Sequence, residues 1–158
     1  MLLGLHTYSF HLHGMGQTWG GGDLIADQVW DIFSLMDEAL KLGLEGLHLT
    51  AVDLGSFDPE HLKTVRNEAE QRNLFLEYNF SLDASGYDPR LTNTIEQGIS
   101  IAEQIGSDIG KISLDLHRVR PVCGSLFHPQ ILIQLENIAK NVETAAPVAE
   151  KAGVRLCL

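Results

Sequence analysis

The sequence predicts an α/β fold: a parallel (β/α) barrel of the TIM type that stops after its fifth strand, as a βαβαβαβαβ half-barrel. The first observation is a repeated pattern in which alanine is followed, four residues later, by glycine or asparagine and then by an apolar run. The repeats are Ala39–Gly43, Ala69–Asn73, Ala102–Gly106 and Ala149–Gly153. Glycine and asparagine tolerate the left-handed conformation that ends a helix, so each repeat predicts a helix that leads into a strand.

The second observation is the regular alternation of apolar runs with helical segments, which is typical of a parallel sheet with right-handed crossovers. The predicted strands are Leu2–Phe10, Leu44–Leu49, Leu74–Phe80, Ile109–Leu116 and Val154–Leu158. The glycines after the first run lie in a long loop that does not lead directly into a helix, which disfavours a doubly wound dinucleotide-binding sheet. A full barrel needs roughly 250 residues. We therefore expect residues 1–158 to form one partial barrel domain.

The predicted helices begin at prolines, two of which follow an aspartate that can cap the helix. These starts are Asp58-Pro59, Asp88-Pro89 and His128-Pro129. Apolar residues at helical spacing predict the face that each helix buries. In the first helix the predicted buried residues are Val29, Phe33, Met36 and Leu40.

Composition excludes several classes of partner. Lys and Arg total 11 against 21 Asp and Glu, a formal charge of −10 that repels phosphate backbones and anionic membranes. We expect no nucleic-acid and no membrane partner, since the chain also has no cationic leader and no apolar run long enough for a membrane span. Cys123 and Cys157 fit free thiols better than a disulfide framework. A reducing compartment, the cytoplasm, is the expected location.

Polar residues interrupt the second, third and fourth predicted strands at every second position. They are His48 and Thr50, then Glu77 and Asn79, then Lys111, Ser113 and Asp115, with His117 after them. A period of two places each set on one face of its strand, and in a barrel that face is the interior below the mouth where active sites lie. The alternative is a buried polar layer whose members satisfy one another.

The end of the first strand is rich in histidine. His11 and His13 form a His-x-His pair that can bind a divalent metal, as in metal-dependent phosphoesterases and amidohydrolases. The alternative is that both are loop histidines, because a glycine-rich loop follows and Tyr8 occupies the position where a second metal-binding histidine would be needed. Trp19 lies inside that loop. We interpret it either as the aromatic tip of a lid over a ligand or as a residue that packs on the barrel rim.

Three stretches together resemble the xylose isomerase-like barrels, the superfamily of sugar (phosphate) isomerases and epimerases. They are Leu3–Ser9, Ala39–Leu49 and Ala149–Leu158. The resemblance covers the whole chain and implies a cytoplasmic enzyme of carbohydrate metabolism that acts on a small ketose, keto-polyol or sugar phosphate. In such enzymes Mn²⁺, Mg²⁺ or Co²⁺ polarises the carbonyl, and a carboxylate moves the adjacent proton through an ene-diolate.

The resemblance also implies that the metal ligands and the proton-transferring glutamates come after the fifth strand, beyond Leu158. We therefore expect no catalytic residue and no metal site in this chain, which would be inactive alone, and we assign it the substrate-facing half of the barrel mouth. The implied substrate-binding residues are His6, His48, Glu77, Asn79, Lys111, Asp115 and His117.

One further expectation follows from a partial barrel. Its first and fifth strands would be open, largely apolar edges, so we expect homo-oligomers rather than a monomer.

Two alternatives to the isomerase remain open. One is a metal-dependent phosphoesterase or amidohydrolase-like barrel that uses His11 and His13, and the other is a non-catalytic half-barrel fragment.

Overall fold

The structure is a computed structural model that describes residues 2–13, 15, 30–83, 94–115 and 129–158, with the side chains of residues 11–13, 81–83, 114, 115 and 130 excepted. The strands are β1 (Gly4–His6), β2 (Gly46–Thr50), β3 (Phe75–Asp83), β4 (Ile109–Asp115) and β5 (Arg155–Cys157). The α-helices are α1 (Ile32–Lys41), α2 (Ala51–Leu54), α3 (Pro59–Gln71), α4 (Ile95–Gln104) and α5 (Pro129–Ala152), and a 3₁₀ segment spans Thr7–His13.

The five strands form one open parallel sheet in the order β1-β2-β3-β4-β5. Each strand pairs with its neighbour in the sequence, which is the order of a (β/α) barrel and not that of a doubly wound sheet. The predicted α/β class with consecutive parallel strands is therefore confirmed. In the described parts of the chain, no helix is both long and apolar enough to cross a membrane.

The helices cover one face of this sheet. Tyr78 and Phe80 of β3 are buried, and a Cβ placed on Gly98 of α4 would lie 2.8 Å from the ring of Phe80, so the helix backbone rests on that ring. Since side chains alternate along a strand, Glu77 and Asn79 lie on the opposite face. We call the face opposite the helices the inner face.

An aromatic ring closes the inner face at the start of the strands. Gly4, Gly46 and Phe75 share one level of the register. A Cβ on Gly46 would lie 2.4 Å from two ring carbons of Phe75, and one on Gly4 would lie 2.8 Å from the tip of the ring. Only glycine leaves room for this ring to lie across two neighbouring strands, so it forms an apolar floor.

The predicted helix ends are confirmed at all four repeats. Gly43, Asn73, Gly106 and Gly153 have φ values of 71°, 54°, 74° and 70°. In each repeat the residue after this position donates its backbone N–H to the alanine carbonyl, at 2.8 to 2.9 Å. This is the Schellman motif, and it explains why alanine and glycine stand four residues apart.

Two sequence-based expectations about local structure are wrong. The first strand ends at His6, because Thr7 begins the 3₁₀ segment, and the Tyr8 N–H turns back to donate to His6 Nδ1 at 3.0 Å. In α1 the buried face consists of Ile32, Leu35, Met36 and Ala39, whereas Leu40 is 44% exposed. Of the other predicted starts, Asp58 caps α3 and Pro129 begins α5, whereas Asp88-Pro89 and Val29 lie outside the described residues.

Candidate functional site

The register of the sheet brings the predicted polar residues into rows on the inner face. His6, His48 and Glu77 are consecutive partners across β1, β2 and β3. One step further along, Thr50, Asn79 and Lys111 are partners across β2, β3 and β4, and Ser113 follows on β4. A period of two within each strand, combined with parallel pairing, is what aligns these side chains.

The side chains of the first row, His6, His48 and Glu77, form a cluster in which they contact one another. The rings of His6 and His48 are stacked, with centroids 4.2 Å apart and planes 14° from parallel. His48 Nδ1 lies 3.3 Å from Glu77 Oε2. His6 Nδ1 accepts the Tyr8 N–H, so the neutral His6 ring carries its proton on Nε2.

The environment keeps both histidines neutral near pH 7. Burial lowers the pKa of His6, and the charge of Lys111 adds to this effect, whereas the Asp53 carboxylate opposes it. Burial also lowers the pKa of His48 to about 4, and the charges of His6 and Lys111 act in the same direction. The contact between His48 and Glu77 therefore joins a neutral imidazole to a carboxylate and is not an ion pair at this pH.

One ring nitrogen of this cluster is unsatisfied. With His48 Nδ1–H directed at the Glu77 carboxylate, Nε2 is left as an acceptor. Nε2 is buried and has no hydrogen-bond partner among the described residues. A buried polar atom without a partner is uncommon in folded proteins and marks this row as a candidate site.

A buried carboxylate that the sequence analysis missed holds the first row in place. Asp53 is 1% exposed, and its Oδ2 accepts from Thr7 Oγ1 at 2.7 Å, from Thr50 N at 2.7 Å and from Thr50 Oγ1 at 2.8 Å. The residue after His6 is thereby tied to the start of α2. The signal in the sequence is the Thr50-x-x-Asp53 capping pattern at a strand end.

In the second row, Ser113 Oγ donates to Asn79 Oδ1 at 2.8 Å. Asn79 is 4% exposed, and Lys111 is half-buried. The backbone of Asp115 pairs with Asp83 at the far end of β4. The other predicted site residues fall outside what is described: His117 and Trp19 entirely, and the side chains of Asp115, His11 and His13.

The resemblance implies a divalent metal, and the described residues do not fit one. Within residues 2–13, 15, 30–83, 94–115 and 129–158, no three His, Cys, Asp or Glu side chains are placed to bind a common ion. His6 and His48 face each other through their rings, and His6 Nδ1 is already bonded to the backbone. The described polar side chains of the inner face thus present hydrogen-bond donors and acceptors and no set of three metal ligands.

No protein-family model and no curated protein matches the sequence. Solved structures do match in three dimensions. D-psicose 3-epimerase in the presence of D-fructose superposes with a TM-score of 0.65 at 15% identity, covering 100% of this chain and 52% of that one. The fold is that of about half a TIM barrel.

Two further structures agree with this result. D-psicose 3-epimerase with D-tagatose from Clostridium cellulolyticum H10 gives a TM-score of 0.64 at 16% identity, covering all of this chain and 52% of that chain. A D-tagatose 3-epimerase-like protein gives 0.60 at 14% identity, with 99% of this chain and 51% of that one covered. The chain thus spans about half the length of these neighbours. The predicted resemblance to xylose isomerase-like barrels is confirmed for the fold.

Proposed function

We propose that the inner face is the substrate-holding half of a sugar isomerase or epimerase that acts on a ketose or keto-polyol by proton transfer next to the carbonyl. The observation that carries the proposal is the polar cluster of His6, His48 and Glu77 on the inner face of a fold shared with ketohexose 3-epimerases. The expected substrate is a small sugar or sugar phosphate.

The chemistry of the two rows suits sugar hydroxyls. A hydroxyl both donates and accepts, and the rows offer acceptors at Glu77 and donors at His6, Asn79 and Lys111. Beneath them, the Phe75 ring presents an apolar surface for the C–H groups of a sugar. We assign these side chains to binding and orientation only, because no described set of ligands fits the divalent metal that the resemblance implies.

The test is a titration of the chain with D-fructose and D-tagatose, followed by NMR of the histidine rings and by calorimetry. We expect shifts at His6 and His48 and a binding isotherm that Glu77→Gln weakens about tenfold, since a hydrogen bond to a charged group is worth about 1.5–3 kcal/mol. The matched control is Glu136→Gln, at an exposed position of α5.

Two results would count against the proposal. One is the absence of any histidine shift at high ketohexose concentration. The other is equal affinity in Glu77→Gln and in the wild type.

Product analysis with and without Mn²⁺ addresses catalysis, and we expect no epimerisation by the chain alone. Tight Mn²⁺ binding that is lost in a His11→Ala/His13→Ala variant would favour the phosphoesterase or amidohydrolase-like alternative instead.

A further inference from the structure

Lys111 differs from the other lysines that the structure describes. It is half-buried on the inner face, whereas Lys41, Lys63, Lys140 and Lys151 are exposed. The ion pairs of the described arginines, and that of Lys41 with Glu38, involve no residue of the inner rows. In a chain with a formal charge of −10, no described carboxylate lies within ion-pair distance of Lys111.

Neither cross-strand partner of Lys111, Asn79 on β3 or Cys157 on β5, is a carboxylate. Asn79, its partner across the sheet, is more than nine-tenths buried and uses its carbonyl oxygen to accept from Ser113. The two N–H groups of the Asn79 amide have no acceptor among the described residues. The ammonium group of Lys111 and the amide of Asn79 thus lie side by side on adjacent strands, and neither has an acceptor among the described residues.

The charge of Lys111 reaches the first row, because it helps to lower the pKa of both His6 and His48, whereas the Asp53 carboxylate opposes this effect at His6. A partly buried charge without a partner is unfavourable, because lost hydration is not replaced. Phosphate and carboxylate oxygens would supply both the missing charge and the missing acceptors.

We propose that Lys111 and Asn79 form a subsite for an anionic group, a phosphate or a carboxylate, on a small-molecule ligand. This inference rests on the proposed function and narrows its substrate: the sugar carries a phosphate or an acid group, and that group lies over β3 and β4. The remaining hydroxyls then reach the row of His6, His48 and Glu77 on β1, β2 and β3.

The experiment compares four probes by calorimetry at low ionic strength: inorganic phosphate, fructose 6-phosphate, gluconate and neutral D-fructose. We expect at least one of the anionic sugars to bind at least tenfold more tightly than D-fructose, with fructose 6-phosphate and gluconate separating a phosphate from a carboxylate preference. Lys111→Met should remove this preference, so that the anionic sugars bind this variant no more tightly than D-fructose does. Lys111→Arg should keep most of it, because the charge is retained.

The control is Lys140→Met, which makes the same change of net charge at an exposed position of α5. It should preserve the preference. A second readout is thermal stability: we expect Lys111→Met to melt no lower than the wild type, since it removes a charge without a partner. A clear drop in its melting temperature would show that an internal carboxylate neutralises Lys111, and this would overturn the subsite.

The outcomes separate this inference from the proposed function. If D-fructose binds and both anionic sugars bind no better, or if their preference survives in Lys111→Met, the anion subsite is wrong and the sugar site stands. If D-fructose, the anionic sugars and inorganic phosphate all fail to bind, both proposals fail. If inorganic phosphate binds and Lys111→Met abolishes its binding, the subsite is supported independently of the sugar.

Discussion

Adding one methyl group at Gly46 should displace the aromatic floor of the inner face. In Gly46→Ala, the new Cβ would lie 2.4 Å from two ring carbons of Phe75 and 2.5 Å from a third, whereas ordinary contacts begin at 3.4 Å. The ring must retreat by about 1 Å, and the paired backbones of β1, β2 and β3 leave it only the direction away from the sheet.

The magnitude follows from the packing. Overfilling a well-packed site costs about 1–3 kcal/mol, and a domain of this size loses roughly 2–4 °C of melting temperature for each kcal/mol. We expect Gly46→Ala to lower the free energy of unfolding by about 2 kcal/mol and the melting temperature by about 4–8 °C. Gly4→Ala should cost less, because it meets only the tip of the ring, at 2.8 Å.

The assay is urea unfolding followed by circular dichroism, with Gly110→Ala as the control. A Cβ at Gly110 meets its nearest neighbours at 3.2 to 3.4 Å, so that variant should change stability least. In a double-mutant cycle, Phe75→Ala should relieve the clash, and Gly46→Ala should then cost close to nothing. Equal losses for Gly46→Ala and Gly110→Ala, or no relief by Phe75→Ala, would refute the close approach of ring and backbone.

NMR titration should find the His48 ring neutral from pH 9 down to near its pKa of about 4, and Lys111→Met should raise that pKa. A titration midpoint near 6.5 would contradict the burial of His48 in the cluster with His6 and Glu77. Because the unfolded chain binds this proton at higher pH than the folded one, stability should fall as pH drops from about 6.5 to about 4. Asp53→Asn should lower the free energy of unfolding in urea by about 1.5–3 kcal/mol, because Asp53 accepts three hydrogen bonds. It should also lower the pKa of His6 further, since the Asp53 carboxylate raises that pKa. Asn73→Ala should cost about 1 kcal/mol at its φ of 54°, whereas Asn73→Gly should be tolerated. Light scattering should show dimers or larger species through the edges β1 and β5, and a concentration-independent monomer would contradict this.

The features that could be predicted from the sequence are those set by local chemistry. The helix ends were predictable because a Schellman motif is determined by residues close together in the chain, and the inner-face rows because alternation in a strand needs no knowledge of its partners. The resemblance anticipated the fold. The buried face of α1 was mistaken because Met36 belongs to two overlapping helical stripes, and only packing against the sheet selects the one with Leu35 and Ala39 over the one with Leu40.

The parts that were missed depend on contacts between distant segments. Thr7 and Asp53 are 46 positions apart, and nothing near Thr7 indicates that its hydroxyl will donate to a buried carboxylate. The floor formed by Phe75 likewise depends on glycines in two other strands. Sequence patterns indicate which residues share a face, whereas the depth of a site and the length of its strands are decided by long-range partners.

The four helix ends share one hydrogen-bond pattern, and this has a consequence for the shape of the sheet. Each junction closes its own hydrogen bonds within six residues, so the chain leaves every helix in the same direction relative to the strand that follows. A step of constant geometry, repeated from one unit to the next, adds the same rotation each time. Four junctions of the same type therefore favour an evenly curved sheet, and each of them is formed by residues that are close together in the chain.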